Sequence, residues 1–107
     1  MDEHVIVDFN KIQGPVYTGR ARGEALRAQY QLDLMDDKSA QVDVIIPENT
    51  YTVSSSFFLG LFGPSVVKAG SVELFKQRFH FRAPEFMSSI IDDHAAKALQ
   101  GRTLLSH

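Results

Sequence analysis

Three consecutive hydroxyls, Ser54, Ser55 and Ser56, are the residues of this chain best placed to do chemistry. They follow a β-branched run and precede Phe57-Phe58-Leu59-Gly60, the opening of an amphipathic helix. A helix start leaves backbone N–H groups unpaired and presents the positive end of the helix dipole. A serine there can cap the helix, hold an anion, or accept a phosphoryl group. Arg20, Arg22 and Arg27 come next, because guanidinium forks match phosphates and carboxylates. Clustered charges at a helix opening nevertheless read first as a solvated face. His4, His80, His94 and His107 are scattered and show no metal-ligand spacing. Asp92-Asp93-His94 is compact, but adjacent helical residues point in different directions and do not converge on one ion. No Ser-His-Asp set announces a hydrolase, and Gly60, Gly63 and Gly70 form no phosphate loop. Neither an enzyme nor a metal or cofactor site is expected from these residues.

The elements that must position the serines follow from hydrophobic period. Val5, Val7 and Phe9 alternate with Ile6 and Asp8, which predicts a first strand over residues 4–9. Gly14-Pro15 is turn chemistry, and residues 16–18 can add a short strand. Ala21, Ala25, Ala28, Leu32 and Met35, flanked by Leu26, Tyr30 and Leu34, predict one amphipathic helix running to about Met35. Residues 36–39 read as a solvated turn. Residues 42–46 are β-branched and nearly continuous, the pattern of a central strand ended by Pro47. The next helix starts within Ser54, Ser55 and Ser56, with a kink or a fresh turn expected at Pro64. Residues 72–77 allow a further helical turn with Leu74 and Phe75 inward. Phe79 and Phe81 then alternate with Arg78, His80 and Arg82 as a strand. Pro84-Glu85 opens a last helix that Gly101 should end. The phenylalanines are core in the first instance, but adjacent Phe57 and Phe58 cannot both face inward on a regular helix. One of them is expected to be partly exposed beside the serines, as at a protein interface.

Strands alternating with amphipathic helices give an α/β domain: a single mixed or mostly parallel sheet with helices mainly on one face. The 107 residues are one domain by length. A chain of that size buries roughly two-thirds of its unfolded surface without a staple. Net charge is −2, which offers no basic excess for nucleic acid. Cysteine is absent, which excludes disulfides, zinc–thiolate sites and cysteine nucleophiles. The acidic start, Met1-Asp2-Glu3-His4, lacks signal-peptide character, and no apolar run reaches membrane-span length. A cytoplasmic location without membrane contact is the expectation.

Three stretches resemble the STAS-like family, related to sulfate-transporter and anti-sigma-factor-antagonist domains. They are Gly19-Arg20-Ala21-Arg22-Gly23-Glu24-Ala25, then Val42-Asp43-Val44-Ile45 with Thr52-Val53-Ser54-Ser55-Ser56-Phe57, and finally the strand and helix from Phe79 to Ile91. The resemblance spans roughly residues 19–99. In anti-sigma antagonists the strand-to-helix loop reads Asp-Ser-Ser or Asp-Ser-Thr before Gly-Leu, and the first hydroxyl after the aspartate is phosphorylated. On this chain the aspartate position holds Ser54, the acceptor position Ser55, and the Gly-Leu positions Phe57 and Phe58.

The resemblance implies a non-enzymatic interaction module of bacterial-type signalling. It would bind a kinase-fold ATPase through Ser54, Ser55, Ser56 and Phe57, with Arg20 and Arg22 as further anion contacts and serine phosphorylation as a switch. The alternative is a small anionic-ligand or nucleotide-binding domain, or an enzyme, using the same helix N-terminus. A homodimer joined through the strand face around His80 is a third reading.

Overall fold

A computed structural model describes residues 4–105, with side chains as far as residue 101. The elements are β1 (His4–Asp8), a 3-10 turn (Phe9–Lys11), β2 (Val16–Tyr17), α1 (Arg20–Gln29) and α2 (Leu32–Asp37). After them come β3 (Gln41–Ile45), β4 (Thr52–Val53), α3 (Ser55–Ala69), α4 (Val72–Arg78), β5 (Phe79–Arg82) and α5 (Met87–Leu105). The α/β class and the parallel pairing agree with the sequence pattern, but the single sheet does not. β1, β3 and β5 form one parallel sheet with β3 in the centre, while β2 and β4 pair separately, also in parallel. The 3-10 turn after β1 and Pro47 after β3 break both ladders before the chain resumes, and proline cannot donate to a ladder.

Period-two alternation sorts the larger sheet into two faces. Val7, Val42, Val44 and Phe79 are buried, with Val5 and Phe81 partly buried beside them. The opposite face carries His4, Ile6 and Asp8 on β1, Gln41, Asp43 and Ile45 on β3, and His80 and Arg82 on β5. The covered face meets a cluster of rings: Phe58, Phe62, Phe75, Phe79 and Phe81 lie within 4.5–6.3 Å of one another in successive pairs. A fully buried phenylalanine contributes about 1.5–3 kcal/mol, so these rings, more than helix propensity, decide where α3 and α4 lie.

Several expectations of the helices are corrected. The first helix is two: Gln31, at φ 55° in the left-handed region, separates α1 from α2. The row Ala21, Ala25 and Ala28 is exposed, and α1 instead buries Gly23 and Arg27. Helix α3 lies on that face because glycine permits the approach. A Cβ on Gly23 would collide with the Phe57 carbonyl oxygen and stand 2.9 Å from the Leu61 nitrogen, while one on Gly60 would collide with the Arg20 carbonyl. The break at Gln31 turns Leu32 and Met35 into the core and brings Asp36 to Arg27.

Arg27 is therefore buried and not part of a solvated face, and Asp36 is not in a solvated turn. The Arg27 guanidinium donates to Asp36 at 2.7 Å, to Ser65 Oγ at 2.9 Å and to the Leu61 carbonyl at 2.9 Å. It also reaches the exposed Asp33. Ser65 bonds Asp36 in turn, and Arg78 closes the cluster on Asp36 at 3.2 Å and on the carbonyls of Met35 and Ala40. Arg78 thus ends α4 and turns into this network instead of standing beside His80.

Helix α3 passes through Pro64 without ending. The chain turns at Gly70, φ 94°, where α3 and α4 meet at 108°. Ser71 caps α4, which buries Phe75 and leaves Leu74 exposed. The last helix starts at Met87, because a turn closed by Met87 N–H on the Pro84 carbonyl precedes it. Phe86 in that turn is exposed, and the helix continues through Gly101. Among the described residues, no single helix is long and apolar enough to cross a membrane.

Candidate functional site

The serine run is delivered by the smaller sheet. Val16 pairs with Thr52 and Tyr17 with Val53. The Pro15 carbonyl accepts from Tyr51 at 2.9 Å, and the Tyr17 carbonyl accepts from Ser54 N–H at 2.9 Å. Ser54 then takes extended geometry, φ −69° and ψ 157°, and its Oγ accepts from Phe57 N–H at 3.1 Å. Ser54 is the helix cap, with its oxygen occupied by the cap bond. Ser55, the first helical residue, is half-buried, and Ser56 is exposed.

Beneath the serines the helix start is anchored by rings. Phe57 packs 5.9 Å from both Phe9 and Tyr17, and the Tyr17 hydroxyl donates to the Phe9 carbonyl at 3.0 Å. Burial raises the Tyr17 phenol above its ordinary pKa against the opposing pull of Arg22, with Asp8 adding a smaller upward push. Phe57 and Phe58 are both buried. The expectation that one of them is exposed fails because α1 covers Phe57 while Phe58 faces Phe62, Phe75 and His94. Phe57 presents no ring to a partner.

The exposed aromatic near the serines is Tyr51, 74% accessible, three residues before Ser54. Across the short sheet Val16, 45% accessible, lies opposite Thr52. Strand alternation gave no signal for this, since residues 51 and 53 would share a face; Tyr51 is exposed because it precedes the two-residue strand β4.

The two arginines divide. Arg22 lies 5.6 Å from the centres of both the Tyr17 and Phe57 rings and donates to the carbonyls of Val16 and Gln13. It clamps α1 to β2 and to the segment before it. Arg20 is exposed and meets Glu24 at 3.5 Å, one turn along α1.

His94 was not legible as a member of this region. From α5 its Nε2 meets the Val53 carbonyl at 2.8 Å, immediately before the cap. A carbonyl only accepts, so Nε2 carries the proton, and the buried Nδ1 has no partner among the described residues. Asp92 leaves His94 for Lys76 at 2.8 Å. Among the described residues, no group of three or more His, Asp or Glu side chains is arranged to hold a metal ion.

The site therefore offers a half-buried Ser55 and an exposed Ser56 on a helix start capped by Ser54 and braced by Tyr17, Arg22 and His94, with the exposed Tyr51 three residues before the cap. No family model, curated protein or solved structure matches this chain.

Proposed function

We propose that this chain is a non-enzymatic protein-interaction module of the STAS-like kind, docking a signalling partner on the α3 start and switched by phosphorylation of Ser55. One observation carries the reading: Ser56 is exposed and Ser55 half-buried at the braced start of α3, with the exposed aromatic Tyr51 three residues before the cap. An aromatic at the edge of a polar patch suits a protein interface. A phosphoryl group on Ser55 would add nearly two negative charges at the positive end of α3, changing the docking surface without refolding the chain. The partner that the resemblance points to is a kinase-fold ATPase. The anion-binding alternative has less to draw on, because Arg22 is committed to carbonyls and Arg20 to Glu24.

The experiment is capture of partners on the immobilised chain, identified by mass spectrometry, followed by phosphoryl transfer from ATP by the captured ATPase. Label on Ser55, lost in Ser55→Ala, together with weakened capture by Ser55→Asp is the expected result. Unlabelled Ser55 and unchanged capture by Ser55→Asp would overturn it.

A further inference from the structure

The open face of the larger sheet is unusual for its topology. All-parallel sheets almost always have both faces covered. Here one face packs on the ring cluster while the other leaves His4, Ile6, Gln41, His80 and Arg82 exposed, Ile6 to 54%. The register places Asp8, Ile45 and Arg82 in one row across the strands, acid on one edge, apolar in the centre, base on the other edge. Asp8 uses Oδ1 for the Asn10 turn. Among the described residues its Oδ2 has no bond, and the Arg82 guanidinium makes no ion pair.

We infer that this face is the interface of a homodimer, two copies packing sheet to sheet about a two-fold axis parallel to the strands. Such an axis keeps each row in register and exchanges the edges. Asp8 then meets Arg82 of the other copy, Arg82 meets Asp8, and Ile45 meets its own mate on the axis. A two-fold interface must be self-complementary in this way. A two-fold axis perpendicular to the strands would keep β5 over β5 and leave Arg82 without an acid. One row back, Asp43 is held by His4 at 2.9 Å. A crossing of about 30° shifts the two copies of Asp43 sideways by only about 3–4 Å, so they still face each other, each bonded by His4 of its own copy.

The area sets the strength. Three strands about 4.8 Å apart and five residues long offer a patch of about 14 by 17 Å. That is about 240 Å² per copy, well below the roughly 800 Å² per partner of a standard interface, so the dimer is expected to be weak, dissociating in the high micromolar range, and salt-sensitive. The inference is independent of the serine site, which lies on the other sheet.

Sedimentation velocity across a concentration series tests it. The chain should pass from monomer to dimer over high micromolar concentrations. Arg82→Asp and Asp8→Arg should each weaken dimerisation at least about tenfold. An equimolar mixture of the two variants should restore it, since in the mixed pair every acid of one copy again faces a base of the other. Because Asp8 also holds the Asn10 turn, Ile45→Cys supplies a second reading. The natural chain has no cysteine, so the introduced thiol is unique and should be joined to its mate by a short bis-maleimide. Adding Arg82→Asp to Ile45→Cys should abolish the joining. A chain monomeric at about 1 mM, a dimer indifferent to Arg82→Asp, or thiol joining unaffected by Arg82→Asp would overturn the inference.

Discussion

Replacing Arg27 by methionine removes the charge at the centre of the buried network while keeping an unbranched apolar stem. The Arg27 side chain is 7% accessible and that of Asp36 3%, at 2.7 Å. Asp36 would keep Ser65 and Arg78, the latter at a longer 3.2 Å. Removing one partner of a buried pair typically costs about 3–5 kcal/mol, because the remaining charge stays out of water. Against a total stability of about 5–15 kcal/mol for a domain this size, Arg27→Met should lower the urea midpoint substantially with little change in the slope. The retained Arg78 places the expectation near the lower end, about 3 kcal/mol. Asp36→Asn alone should also destabilise, and the double variant should lose less than the sum of the two, as a shared interaction requires. Salt at about 0.5 M should leave the Arg27 effect nearly unchanged, since screening acts on exposed charges. A loss below about 1 kcal/mol, the range of surface pairs, or full additivity in the cycle would refute the reasoning.

Two of the helical glycines, Gly60 and Gly101, should respond oppositely to alanine. Gly60→Ala meets the Arg20 carbonyl and should cost at least about 1–3 kcal/mol, whereas Gly101→Ala, with nothing within 4 Å, should gain about 0.5–1 kcal/mol. Thermal melts of the two variants read both signs. Ser54→Ala should lose about 0.5–2 kcal/mol with the cap bond to Phe57, while Ser56→Ala should be near neutral, a contrast that denaturation curves resolve. Tyr17 gives an alkaline limit. Its folded pKa lies above the unfolded value near 10, so the unfolded chain loses the phenolic proton first, and stability present below pH 10 declines as pH rises through the folded pKa. Tyr17→Phe should flatten that decline in unfolding midpoints measured from about pH 9 upward.

What could be read from the sequence was whatever had a strong local period. β1, β3 and β5 follow alternation, and the Ser54 cap follows from a hydroxyl before an apolar run. The α1 error has a physical cause. Ala21, Ala25 and Ala28 imitate a buried stripe, but the real contact face is made by Gly23, whose value lies in lacking a side chain, and by Arg27, whose charge is neutralised by residues on α2 and α3. Neither property belongs to a window of local sequence. The same holds for Phe57 and Phe58. A regular helix in isolation buries one face, but α3 is covered by α1 on one side and by the rings of α4, β5 and α5 on others. The site was legible in position and not in surroundings: Arg22 and His94 reach it through a cation over two rings and a carbonyl on another element.

The contact at Gly23 and Gly60 has a mechanical consequence. Each helix carries its bare backbone into the other, so neither α1 nor α3 has a side-chain cushion on which to slide or roll at that point. The two helices move as one stiff body. A force applied at Ser55 is felt at Arg20 and Glu24 as displacement rather than absorbed by rotamer changes.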